Sequence, residues 1–117
     1  MKEELLKKIK EKYGEIPFIT QEISKDEEYF VPRTKRVLHL MGGSALDTKT
    51  AELVAVSAAA ALKTPFCLDV HIRNAINAGA TVDELFNVIE ISALISESSA
   101  LGMSLRECKK VIDSIES

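Results

Sequence analysis

Residues 48–62 read TKTAELVAVSAAAAL. After Glu52 the segment is apolar almost all round, with Leu53, Val54, Ala55 and Val56, then Ala58 to Leu62. A helix without a polar face must be covered, either by its own domain or by a partner chain. Its small side chains permit close helix packing. Residues 82–95, VDELFNVIEISALI, are similarly rich, with Val82, Leu85, Phe86, Val88, Ile89, Ile91, Leu94 and Ile95. Two such helices exceed what one chain of 117 residues can easily cover, so self-association is the expected consequence.

Start and stop signals extend this reading outward. Gly14, Gly42/Gly43, Gly79 and Gly102 each follow a helical pattern, where a glycine relieves the left-handed conformation that ends many helices. Ser24 with Glu27, Thr81 with Glu84, and Ser104 with Glu107 fit the capping box. Asp47 is placed to cap the helix that follows it. Thr64-Pro65 reads as a cap followed by proline at the first helical position. The pattern predicts helices at about 2–13, 17–23, 25–41, 48–62, 65–78, 82–101 and 105–115. Pro32 is expected to break or kink the third. No β-branched run alternates with period two, so no sheet is expected. The fold class is all-α: six to seven helices in a single domain over residues 1–117.

Composition excludes several function classes. Fifteen basic side chains against eighteen acidic give a formal charge of −3, with no basic stripe for nucleic acid. The densest basic cluster, Lys2, Lys7, Lys8, Lys10 and Lys12, is interleaved with Glu3, Glu4 and Glu11 and reads as a solvated helix face. The first residues are charged, so no signal peptide is expected. No window approaches eighteen apolar residues without a charge, so no membrane span is expected. Cys67 and Cys108 form no zinc or disulfide framework, which points to a reducing cytoplasm.

Chemistry concentrates in Thr64-Pro65-Phe66-Cys67-Leu68-Asp69-Val70-His71. Cys67 falls at the third position of its helix, where backbone N–H groups and the positive dipole end favour a thiolate. His71 lies one turn on, on the same face. A thiol beside an imidazole at a helix N-terminus is a sensible nucleophile and base. Glu52, in a nearly uncharged helix, needs a partner such as Arg73 or a changed ionisation. The plain alternatives stand beside these. A lone cysteine in an apolar helix is usually a small core residue, and a lone histidine is usually structural. Cys108, His39, Met41 and Met103 read as core or boundary residues, and Asp69 as favouring the first turn of its helix. In a tight hairpin of 48–62 and 65–78, Glu52 lies about 18 Å from the turn and His71 about 10 Å, at ~1.5 Å per residue. A link between them then needs a crossing angle, a bridging water or a neighbouring subunit.

These residues resemble a known family. Ala45-Leu46-Asp47-Thr48-Lys49-Thr50-Ala51-Glu52-Leu53 is followed by the alanine-rich helix, Phe66-Cys67 and His71, then Ala78-Gly79-Ala80-Thr81-Val82-Asp83-Glu84. The order and spacing over about residues 40–100 resemble the carboxymuconolactone decarboxylase and alkylhydroperoxidase D-like family. The resemblance implies an all-helical bundle that assembles as trimers or hexamers. In the peroxidase branch a glutamate, a Cys-x-x-Cys pair and a histidine act together. Carried over, Glu52 matches the glutamate, Cys67 the peroxidatic cysteine and His71 the relay histidine. Thr64 stands where the resolving cysteine would be, and Ala51 replaces the usual arginine. Threonine cannot form a disulfide, so a sulfenic acid on Cys67 would need another thiol: Cys108, a neighbouring subunit's cysteine or a small external thiol.

The resemblance therefore implies a thiol-dependent, peroxide-reducing protein with a single active-site cysteine. Two alternatives remain open. One is a decarboxylase or isomerase of a small carboxylated lactone, using His71 and Glu52 as acid and base. The other is a non-catalytic oligomeric binding protein. No cofactor and no metal is expected, since two histidines and two cysteines make no closed ligand set.

Overall fold

The computed structural model describes residues 1–117. It is all-α, with six helices and no strand: α1 (Lys2–Tyr13), α2 (Phe18–Ile23), α3 (Glu27–Met41), α4 (Thr48–Leu62), α5 (Pro65–Asn77) and α6 (Val82–Glu116). The chain divides into two compact units, Met1–Glu52 and Leu53–Ser117, with the boundary inside α4.

In the first unit α1 and α2 both pack on α3. Leu5 and Ile9 form the buried stripe of α1, and Phe30 and Thr34 that of α3. Each pair is spaced four residues apart and so lies on one helix face. Lys12 Nζ donates to the Met41 carbonyl at 2.9 Å, which ties the end of α1 to the end of α3. Gly14 closes α1 in the left-handed conformation, its N–H bonded to the Lys10 carbonyl. Pro32 neither ends nor splits α3, which runs through it to Met41. Proline removes one helical N–H. Glu28, whose carbonyl loses that partner, is exposed, so water can satisfy it. The buried stripe on either side of Pro32 holds the helix on its neighbour. The cap of α3 is Asp26, which accepts from Tyr29 N–H, and not Ser24. Ser24 ends α2 instead, its hydroxyl donating to the Gln21 carbonyl at 2.7 Å. Gly42 is required on steric grounds, because a Cβ there would sit 2.4 Å from the Leu38 carbonyl oxygen.

In the second unit Val56, Ala75 and Leu85 form a buried cluster, one residue from each of α4, α5 and α6. Leu53, Leu68, Ile72, Ala80, Val88 and Ile89 close around it. Ser92 Oγ donates to the Ser57 carbonyl at 2.9 Å, joining α6 to α4. Thr81 and Glu84 make the expected capping box at the start of α6.

The sequence reading places two helices after Thr81, separated near Gly102. The structure has one helix of thirty-five residues, about 52 Å long at ~1.5 Å per residue. Gly102 does not adopt the left-handed conformation that would end it. A glycine inside a helix costs only about 1 kcal/mol relative to alanine. Its neighbours Leu101, Met103, Leu105 and Arg106 are strong helix formers, so propagation wins over a restart at Ser104. By length and composition α6 also contains a stretch apolar enough to cross a membrane, 6% of it buried. The sequence reading had expected no such stretch.

Candidate functional site at the start of α5

The turn into α5 sets the position of the thiol. Lys63 takes a left-handed conformation, φ 57°, which reverses the chain after α4. Thr64 N–H and Thr64 Oγ1 both donate to the Ala59 carbonyl, at 3.1 and 3.2 Å. The Thr64 hydroxyl therefore braces the turn and makes no side-chain cap of α5. Pro65 has no N–H to offer. Leu68 N–H is taken by the Thr64 carbonyl at 3.0 Å. The positive end of α5 is thus carried by the N–H groups of Phe66 and of Cys67 itself.

Cys67 is the third residue of α5, half-buried, and a free thiol. His71 is also half-buried. A nucleophile and its base must be reachable from solvent yet partly desolvated, and both residues meet that condition. At 3.6 residues per turn Cys67, His71 and Asn74 fall within an arc of about 60° on one face of α5. Asn74 is 91% buried (9% exposed), and its Nδ2 has no hydrogen-bond partner. The sequence reading passed over Asn74, though its spacing from Cys67 and His71 was the available signal. Asp69 and Arg73 form an exposed ion pair one turn apart on the same helix. Such a pair contributes little to stability.

Glu52, on α4, is fully buried and ends the first unit. Within that unit it acts on Tyr13. The phenol is pushed up to about 12, first by burial and then by the Glu52 carboxylate, with Arg33 opposing. Tyr13 therefore stays a neutral phenol, with Glu52 and Arg33 both in its electrostatic surroundings. Nothing local links positions 13, 33 and 52, so sequence spacing offers no sign of this cluster. Cys108 is a free, exposed thiol on α6. No group of three or more His, Cys, Asp or Glu side chains is arranged to hold a metal ion.

A family model described as the carboxymuconolactone decarboxylase family matches residues 30–107. A curated relative, "Uncharacterized protein 4 in cox locus" of Paracoccus denitrificans, is 29% identical over 72 residues. The match spans 62% of this chain and 64% of that relative. No solved structure matches. The family match covers two thirds of the chain and includes Glu52, Cys67 and His71; the chain belongs to the carboxymuconolactone decarboxylase family.

Proposed function

We propose that the protein is a thiol-dependent, peroxide-reducing enzyme with Cys67 as its single active-site cysteine. The observation that supports this most is the start of α5: a half-buried thiol at the third helical position, a histidine one turn on, and a threonine hydroxyl that turns away from the helix end. The family includes peroxidases of the alkylhydroperoxidase D type, and this geometry suits their first half-reaction.

In that step the Cys67 thiolate attacks one peroxide oxygen. The S–O bond forms as the O–O bond breaks, and the departing alkoxide or hydroxide takes a proton from the His71 imidazolium. Cys67 is oxidised to a sulfenic acid, and the peroxide is reduced to an alcohol or water. Glu52 takes its part in proton transfer from the family resemblance alone.

Thr64 cannot close a disulfide with Cys67. An external thiol therefore condenses with the sulfenic acid, releasing water and leaving a mixed disulfide, and a second thiol restores Cys67. Both cysteines are free, which suits a reducing compartment such as the cytoplasm.

The test is peroxide consumption with a small thiol as reductant, alongside trapping of sulfenic acid and mass mapping. Sulfenate at Cys67 and turnover that disappears in Cys67→Ser are the expected results. Absence of both would overturn the proposal, leaving acid–base chemistry at His71 and Glu52 on a small carboxylated lactone, or a binding role.

A further inference from the structure

Four helices of the chain are followed by a residue with positive φ. After α1, α3 and α5 it is glycine: Gly14 at 81°, Gly43 at 90° and Gly79 at 100°. After α4 it is Lys63, at 57°, and no other non-glycine residue has a positive φ. Two crossed bonds close α4 around it: Lys63 N–H to the Ala60 carbonyl at 3.2 Å, and Thr64 N–H to the Ala59 carbonyl at 3.1 Å. Such a helix end is ordinarily built on glycine, because a Cβ crowds the left-handed backbone. A lysine here is the harder choice for the chain, so its side chain needs a reason.

The surroundings supply one. Between Leu53 and Ile72, Lys63 is the only lysine or arginine. It is exposed and makes no ion pair. The nearest acid on α5, Asp69, is paired with Arg73. Leu68 N–H is bonded to the Thr64 carbonyl, so the chain is already coiled there. Lys63 thus lies roughly one helical turn, about 6 Å along the axis of α5, from Cys67. That is inside the screening length of ~10 Å at 0.1 M salt. The chain as a whole carries a formal charge of −3, so an anion approaching Cys67 meets repulsion except where a cation is placed.

We propose that Lys63 is a specificity-determining residue that selects, as reductant of oxidised Cys67, a small thiol bearing a carboxylate. The inference rests on the peroxide-reducing reading. Thr64 leaves the sulfenic acid to an external thiol, which attacks as its thiolate. The new S–S bond forms as the S–O bond of the sulfenic acid breaks, and the departing hydroxide takes a proton from solvent as water. A second thiolate then releases Cys67 and leaves with the first as a disulfide. A carboxylate on the reductant adds charge to an already anionic nucleophile, and the Lys63 ammonium offsets it at the mouth of the site.

Stopped-flow kinetics of the full chain test this. One equivalent of peroxide is added, sulfenate at Cys67 is verified by mass mapping, and the protein is mixed with 3-mercaptopropionate, 2-mercaptoethanol or cysteamine. Rates are compared per thiolate. At low salt the anionic thiol should lead the neutral one by roughly fivefold, the size of one close ion pair in water, with the cationic thiol slowest. The preference should vanish in Lys63→Gln, persist in Lys63→Arg and collapse at about 0.5 M salt. Lys63→Gly should lose it too, yet show a higher thermal midpoint, since glycine fits the left-handed turn. An equal preference in wild type and Lys63→Gln, or none in the wild type, would overturn this inference alone. Lys63→Gly with lower stability and unchanged preference would overturn it as well, and would assign the lysine to the end of α4. Absence of sulfenate would overturn the peroxide-reducing reading and this inference with it.

Discussion

Helices α5 and α6 both start with a threonine, and the two starts are built oppositely. At α6 the Thr81 hydroxyl accepts Glu84 N–H at 3.1 Å, and the Glu84 carboxylate accepts Thr81 N–H at 2.9 Å. At α5 the Thr64 hydroxyl turns back to the Ala59 carbonyl. Glu84 and Cys67 hold the same third position in their helices. One start is closed by side chains and serves stability. The other has no side-chain cap and carries a thiol at its third position, the start on which the proposed chemistry rests. A threonine before a helix therefore does not reveal its role until the third residue, and the turn preceding it, are known.

The largest effect should come from the residue that makes the α5 start distinctive. Cys67→Ser should abolish peroxide consumption while leaving the circular dichroism spectrum unchanged, because the side chain is half-buried and replaced by one of similar size. His71→Ala should lower kcat/KM for peroxide by roughly a hundredfold or more, the range of a lost general acid. Thr64→Asp would convert the open start into a closed one. A carboxylate there caps the helix and places an anion beside the thiol, so alkylation of Cys67 at neutral pH should slow by roughly tenfold while the thermal midpoint rises.

The fold was legible wherever the determining forces are local. The alanine-rich run of α4, Gly14 and Gly79 after their helices, Pro65 at the first position of α5 and the Thr81–Glu84 box all act within a turn or two, and the structure has each. Continuity of α6 was not legible, since Gly102, Ser104 and Glu107 carry valid boundary signals that the surrounding helix formers outweigh. Ser24 and Asp26 are both good caps two residues apart, and only the packing of α2 and α3 decides between them. The placement of Cys67 and His71 one turn apart on α5 was legible through helical spacing. Glu52 and Arg33 around Tyr13 were not, because they meet it only through the tertiary fold.

Smaller effects sharpen the contrast at the closed starts. Thr81→Ala should destabilise the protein by about 1 kcal/mol in denaturant unfolding and leave Cys67 reactivity unchanged. Asp47 closes α4 by accepting Thr50 N–H at 2.8 Å, and that bond holds its carboxyl below the usual range. The group binds its proton more weakly when folded, so its contribution is present above pH 3.8 and is lost as pH falls through the lower folded value. Thermal midpoints of wild type and Asp47→Asn should therefore converge slightly under strong acid.

The most direct test of the central claim is the rate at which Cys67 is alkylated at neutral pH, in the folded chain and again after denaturation. Burial alone would make the folded thiol slower. An open helix start with a histidine one turn away should make it faster when folded, and a Cys67 that reacts only once the chain unfolds would contradict the account.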